Sequence, residues 1–193
     1  MKALLYDWNG LNVRLFHVIN DVHRPWLDAL MLRLTQLGDH DYFAIYLAVG
    51  VLGGWFSTAR KRTGDAQAWL TTLAVFSAGC MLDGVLIGLF KTWVDFPRPL
   101  LALPPGSVHV VGQAEFHHSL PSGHAAFAML VAASFWPQAN RLLRIGLVLF
   151  ALAVGMSRVS LGAHFPADVA AGFMLGLLTV LLLRTIAQRF SMR

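Results

Sequence analysis

The sequence predicts an all-α, polytopic membrane bundle of five to six transmembrane helices with an amphipathic N-terminal segment, and three observations carry that prediction. Only 13 % of the 193 residues are charged, about half the roughly 25 % usual in soluble domains, while 56 % are of apolar type. A soluble domain of this length has too little interior to hide so many apolar side chains. Apolar runs of near-spanning length then recur along the chain, and basic residues gather in short segments between them. The same composition excludes disorder, and the length suits one membrane-embedded domain, residues 1–193. The single cysteine, Cys80, excludes an internal disulfide framework or a Cys-based zinc site; it lies in an apolar run and reads as buried filler.

Residues 1–40 form the amphipathic segment. Arg14, Asp21, Arg24, Asp28 and Arg33 interrupt every apolar run, while Trp26, Leu27, Leu30, Met31 and Leu34 recur at helical spacing. The pattern reads as one amphipathic helix near the interface, with a poor sixth span as the alternative. Charges throughout and the lack of a long apolar core speak against a cleavable signal peptide. The first span is predicted over residues 42–59, which carry no charge, and the second over 66–90, with the single acid Asp83. A long loop follows to residue 120 with Pro97, Pro99, Pro104 and Pro105; loops of this length in compact proteins are usually functional. Residues 122–136, between Pro121 and Pro137, give the third span, 142–157 the fourth and 165–183 the fifth, with Asp168 near its start. At about 1.5 Å per residue each reaches or approaches the roughly 30 Å of a bilayer's hydrocarbon.

Several residues within these elements carry expectations of their own. Gly50, Gly53, Gly54, Gly172 and Gly176 are spaced for close helix approach, and Trp8, Trp26 and Trp55 suit interface anchors. An intramembrane acid such as Asp83 is costly; it is expected to pair with a neighbouring helix or a polar span residue such as Ser77, or to border the substrate entry.

Orientation follows from the basic residues. Arg60, Lys61 and Arg62 oppose Asp65 between the first two spans; Arg141 and Arg144 lie between the third and fourth; Arg184, Arg189 and Arg193 follow the fifth. In a five-span chain these segments share one side, which the positive-inside rule makes the cytoplasm, together with the C-terminus. The net charge of +5 is therefore topological. No dense basic cluster with interleaved aromatics exists, so nucleic acid is excluded as a partner.

Three polar clusters remain, all at the outer ends of the second to fifth spans: Lys91 to Arg98-Pro99, Pro121-Ser122-Gly123-His124, and Ser157-Arg158 with His164 and Asp168. Lys91, Arg98 and Arg158 are cations directed at one region, and they repel unless an anion sits among them. Arg forks and a Lys point charge suit phosphate oxygens. Ser122 and Gly123 open a helix, where free N–H groups and the positive dipole end bind anions. A phosphate site at headgroup depth follows. His164 and Asp168 stand four apart, so the carboxylate can accept Nδ1–H, fix the tautomer and leave Nε2 free to attack. His124, on another helix, can protonate the leaving oxygen.

At these residues the chain resembles the type-2 phosphatidic acid phosphatase superfamily, the membrane lipid phosphate phosphatases. The family pattern is Lys, six residues, Arg-Pro; then Pro-Ser-Gly-His; then Ser-Arg, five residues, His, three residues, Asp. All three parts are present, from Lys91 to Asp168, so the motif-bearing catalytic region covers 91–168. The resemblance implies a helical bundle and a phosphohistidine intermediate formed on His164, oriented by Asp168, with His124 as general acid. Lys91, Arg98, Ser122, Gly123 and Arg158 would hold the phosphoryl oxygens. It implies no metal and no other cofactor, in keeping with the lack of an obvious carboxylate cluster to hold magnesium. The superfamily's soluble vanadate-dependent haloperoxidases are disfavoured by the spans.

Bacterial relatives of this build act on undecaprenyl diphosphate, phosphatidylglycerol phosphate, phosphatidate or lipid A phosphates. The small size and an outward-facing site favour undecaprenyl diphosphate on the outer face of a bacterial inner membrane. Transfer to a lipid acceptor is the alternative to hydrolysis. The core motifs bind the phosphoryl group and do not choose the lipid. Selectivity is expected in the loop 100–120, with His109, Glu115, His117 and His118.

Overall fold

The computed structural model describes residues 7–59 and 63–191, and every regular element among them is helical. Two helices come from the N-terminal segment, α1 (Leu11–Asn20) and α2 (Pro25–Gln36). The bundle proper consists of α3 (Phe43–Ala59), α4 (Thr63–Val94), α5 (Gly123–Phe135), α6 (Arg141–Ser160) and α7 (Pro166–Ser191). Short turns at His40–Tyr42, Pro99–Ala102 and Trp136–Gln138 complete the described elements named here.

Local chemistry sets the boundaries. Pro25 starts α2 after an extended Arg24, and Pro166 starts α7 with Asp168 in its first turn, where a missing N–H costs nothing and an acid meets the positive helix end. The Asn140 side chain caps α6 by accepting the Leu143 N–H at 2.9 Å. The 32 residues of α4 extend about 48 Å. That excess length carries Lys91 past the apolar run and into the helix's last turn.

Among the described residues, four stretches are long and apolar enough to cross a membrane: His40–Ala59, Ala66–Ala102, Arg141–Ser160 and Pro166–Arg189. Their outward faces expose large apolar groups, among them Trp55, Met81, Leu142 and Met174, as hydrocarbon-facing helices do. The expected span over 122–136 differs. It is a 13-residue helix, α5, about 20 Å long, packed against α4, α6 and α7 and buried along most of its length. A helix enclosed by protein need not match the bilayer thickness, because its neighbours can satisfy its ends.

Phe76, Phe127, Leu130 and Val180 form the centre of the core. A Cβ at Gly172 or Gly176 would strike the main chain of α5 at Ser122 O or Ala126 O; these two glycines let α7 lie backbone to backbone on α5. A Cβ at Gly50 would likewise run into Phe135 and Leu73, so α3 also packs through glycine. Asp83 is fully buried and accepts from the Thr179 hydroxyl at 2.5 Å, tying α4 to α7 rather than using Ser77. Cys80 is partly buried against the core.

The N-terminal segment is two helices rather than one. Its charges at Arg14, Asp21, Arg24 and Arg33 are exposed, while α1 buries Asn12, Phe16 and Asn20, four residues apart. Asn12 Oδ1 accepts the Ala167 N–H at 2.9 Å. Asn20 donates to His109 O at 2.7 Å and Ser160 O at 2.9 Å, and accepts the His109 N–H at 2.8 Å. A segment that looked peripheral thus pins the α6–α7 turn and the long loop.

The two ends of the bundle are chemically distinct. At one, Arg184 donates to Ser134 O and Arg144 to Trp136 O. At the other lie Lys91, Gly123, Arg158 and Asp168, at the end of α4, the start of α5, the end of α6 and the start of α7. Of the charges used for orientation, Arg60, Lys61, Arg62 and Arg193 lie outside the described residues.

Candidate active site

The Pro-rich stretch after α4 brings Arg98 back over the helix end. Its N–H donates to Phe116 O at 2.8 Å, and the Ser119 N–H to Phe96 O at 2.9 Å, so the long loop folds onto this stretch through main-chain bonds. The Arg98 side chain is buried. Nε donates to His117 O at 2.9 Å, Nη1 donates to Ala163 O at 3.2 Å and stands 3.4 Å from His164 Nε2, and Nη2 contacts the Glu115 carboxylate.

Arg158 ends α6 with Nη1 donating to Thr35 Oγ1 at 2.8 Å, and its buried Nε has no partner among the described residues. Its carbonyl accepts the N–H groups of Ala163 and His164 at 3.1 and 3.2 Å. Gly162 makes this turn possible: its φ is +73°, and a Cβ there would stand 2.5 Å from His109 O. Arg158 and the His164 imidazole are thus joined through one tight turn.

His164 is 2 % exposed and its Nδ1 lies 3.6 Å from Asp168 Oδ2. The same oxygen accepts from Ser119 Oγ at 2.6 Å and the Phe165 N–H at 2.8 Å. Burial pushes the His164 imidazole down to about 4. Asp168 opposes that shift, while Arg158 and Arg98 reinforce it. His164 is therefore neutral near pH 7, the form in which a ring nitrogen has a lone pair to give.

Gly123 and His124 occupy the first turn of α5, whose leading N–H groups have no acceptor within the helix. These groups surround a cavity of about 400 Å³. Six of the eight residues expected from sequence line it: Lys91, Arg98, Gly123, His124, Arg158 and His164. Asp168 lies behind His164. Ser122 does not line the cavity; it is fully buried, its N–H bonds Asp168 O at 3.0 Å, and its hydroxyl has no hydrogen-bond partner among the described residues. A second cavity of about 460 Å³ at the opposite end is walled by apolar side chains and Arg184 and contains none of the motif residues. No cluster of three or more His, Cys, Asp or Glu side chains among the described residues is placed to hold a metal ion.

Of the loop residues expected to select substrate, only Glu115 reaches the cavity. The His109 ring stacks on His23 with centroids 4.0 Å apart and lies 3.2 Å from Asp28. His117 and His118 face Asp95 at 3.7 and 3.0 Å. Sequence reasoning missed Thr35, Asp39, His40 and Ser119. Asp39-His40-Asp41 offered a signal, a cluster of polar residues directly before an uncharged span. Ser119 and Thr35 offered none, because their partners are distant in sequence. The assembled groups can take a tetrahedral oxyanion among three cations and a helix N-terminus, beside one neutral imidazole and within reach of another.

Comparison with known proteins gives the chain's relatives. Residues 71–192 match the family model described as the PAP2 superfamily. Phosphatidylglycerophosphatase B of Bacillus subtilis is 30 % identical over 180 residues, covering 88 % of this chain and 80 % of the relative. Undecaprenyl-diphosphatase BcrC of the same organism is 30 % identical over 162 residues, covering 82 % and 75 %. Among solved structures, LpxE of Aquifex aeolicus superposes with a TM-score of 0.75 at 25 % identity, covering 91 % of this chain and 95 % of that one.

Proposed function

The chain belongs to the PAP2 superfamily of membrane lipid phosphatases, and from that premise we propose that it hydrolyses undecaprenyl diphosphate through a phosphohistidine intermediate, without a metal. The observation that carries this reading is the buried, neutral His164 on the wall of a cavity bearing Lys91, Arg98 and Arg158.

The terminal phosphate sits among the three cations and the Gly123 end of α5. His164 Nε2 attacks the terminal phosphorus, and its bond to the bridging oxygen breaks, releasing the lipid monophosphate. Charge leaving the phosphoryl group is met by Arg98 and Arg158, which are fixed before substrate arrives. His124 gives its proton to the leaving oxygen. Asp168 stabilises the positive charge that grows on the His164 ring. Water then attacks the phosphohistidine with His124 as base, the N–P bond breaks, and orthophosphate leaves.

A diphosphate supplies more anionic oxygen than a monoester, which suits three cations around a cavity of this size. The similarity to undecaprenyl-diphosphatase BcrC points the same way. The similarity to phosphatidylglycerophosphatase B favours a second reading, phosphatidylglycerol phosphate as substrate. Phosphatidate, lipid A phosphates and transfer to a lipid acceptor are further uses of the same cradle. The orientation read from the basic segments supports a site on the outer face of a bacterial inner membrane.

Phosphate release from detergent-solubilised protein given undecaprenyl diphosphate, phosphatidylglycerol phosphate and phosphatidate tests the proposal. The first is expected to turn over fastest, His164→Ala to abolish release, and EDTA to leave it unchanged. Release that survives loss of His164 refutes the mechanism; faster turnover of another lipid refutes the substrate.

A further inference from the structure

The connector between α2 and α3 lies outside all three motifs, yet it is pressed onto His124. Gly38 is buried there. A Cβ at this position would collide with Val154 Cγ1 and stand 3.1 Å from His124 O and 3.3 Å from His124 Cβ, so only glycine lets the chain pass this close. The connector is tied at both ends: the Gly38 N–H donates to Thr35 O at 2.9 Å, and the Tyr46 hydroxyl to Leu37 O at 2.7 Å. Thr35 is also the residue that holds Arg158.

The next residue is Asp39. Its Oδ1 accepts the Asp41 N–H at 3.1 Å, capping the turn at His40–Tyr42 and setting the direction of the carboxylate. Its other oxygen, Oδ2, faces His124 Nε2 at 3.8 Å. Such contacts are often long in empty sites and tighten when substrate binds. Burial pushes the His124 imidazole down to about 3, and the groups facing it are Arg158 from α6, His164 from the α6–α7 turn, and Asp39 and His40 from the connector. Asp39 is the acid of that set, and the other three all oppose a proton on His124.

We propose that Asp39 is a positioning residue for His124, orienting its ring and favouring, against the burial and the cations around it, the imidazolium that protonates the leaving group once the anionic phosphate has entered. This rests on the reading of His124 as the acid. With Nε2–H given to Asp39, the other ring nitrogen carries the proton to be transferred. As the His164 N–P bond forms and the lipid P–O bond breaks, the leaving oxygen takes that proton and His124 becomes neutral. In the second step the attacking water returns a proton to His124, the N–P bond breaks, and its electron pair goes back to His164.

The experiment compares two soluble substrates with different leaving groups, p-nitrophenyl phosphate and a short-chain phosphatidate, in wild type, Asp39→Asn, His124→Ala and the double variant. Asn keeps an oxygen for the Asp41 N–H, so the turn is preserved. For phosphatidate, whose alkoxide must be protonated, Asp39→Asn is expected to lower kcat at least tenfold with KM little changed. For p-nitrophenyl phosphate, the loss is under threefold. The alkaline limb of kcat for phosphatidate moves down by about one pH unit, as expected on removing one carboxylate beside a mostly buried imidazole. The double variant loses no more than His124→Ala alone. Equal losses on both substrates for Asp39→Asn, or an additive double variant, overturn the assignment of Asp39 while leaving His124 as the acid. A His124→Ala variant with no leaving-group dependence removes the acid itself, and with it the role of Asp39.

Discussion

Glu115→Gln should tighten the hold on phosphate. The Glu115 carboxylate is in contact with Arg98 Nη2, on the wall of the same cavity that would receive the phosphoryl group. An arriving phosphate must share or displace that contact and is also repelled by the carboxylate. Two unit charges about 3 Å apart interact by roughly 1.4 kcal/mol in water and about 5.5 kcal/mol at an effective dielectric constant near 20. The Glu115 side chain is 45 % exposed, so solvent screening selects the low end, about 1 kcal/mol. That corresponds to about a fivefold change in an equilibrium constant. Arg98 stays in place, because Nε and Nη1 keep their bonds to His117 O and Ala163 O. The assay is product inhibition: the Ki of orthophosphate, measured in detergent micelles at fixed lipid substrate, falls about fivefold in Glu115→Gln. KM falls in parallel, and kcat holds or drops as phosphate release slows. An unchanged Ki shows that Glu115 does not compete for Arg98. A raised Ki shows that Glu115 shapes the cradle rather than occupying it, and either result refutes the reasoning.

Three other predictions follow from single contacts. Ser119→Ala removes the 2.6 Å bond to Asp168 and should lower kcat by roughly tenfold at constant KM, the scale of one hydrogen bond to a charged group; a kcat within twofold of wild type contradicts it. Asn20→Ala orphans two carbonyls and one N–H, a loss of about 3 kcal/mol and of about 6–12 °C in Tm, read by thermal unfolding in detergent; a shift below about 1 °C shows that α1 does not hold the loop. His164, held near 4 by burial, should stay neutral in an NMR titration from pH 7.5 to about 5 and take up a proton only as pH falls through about 4. Asp168 raises this value, so Asp168→Asn should move the midpoint lower. A wild-type midpoint near the ordinary 6.5 removes the basis for a neutral nucleophile.

The chemistry was more legible in the sequence than the architecture that holds it. Lys91, Arg98, Gly123, His124, Arg158 and His164 could be placed at one site because each sits at a helix end or in a short turn, where local spacing settles position. Ser122 shows the limit of that logic. The start of a helix was correctly read, but burial against Asp168 keeps its hydroxyl off the cavity wall. The stretch 122–136 shows another limit, since composition cannot separate a helix facing lipid from one enclosed by other helices, as α5 is. The N-terminal segment was hardest to read. Its buried stripe contains two asparagines, Asn12 and Asn20, whose partners lie up to 155 residues away, and neither periodicity nor motif points to them.

Those distant contacts bear on how three cations can share one buried site. Lys91, Arg98 and Arg158 would repel in a medium of low dielectric, yet each end of the reaction path has an acid beside it. Asp168 stands against His164, Asp39 against His124 and Glu115 against Arg98. Three acids therefore balance three cations before substrate arrives, and each comes from a different part of the chain: a motif, the α2–α3 connector and the long loop. The three differ in exposure. Asp168 is fully buried with fixed donors, whereas Asp39 and Glu115 are about half exposed. A dianion entering the cradle displaces most readily the acid that contacts a cation directly and can turn to solvent, which is Glu115. Asp168 cannot leave, and Asp39 is needed where the leaving group is protonated. The motif pattern alone, with one acid and three cations, leaves out the two carboxylates that face Arg98 and His124.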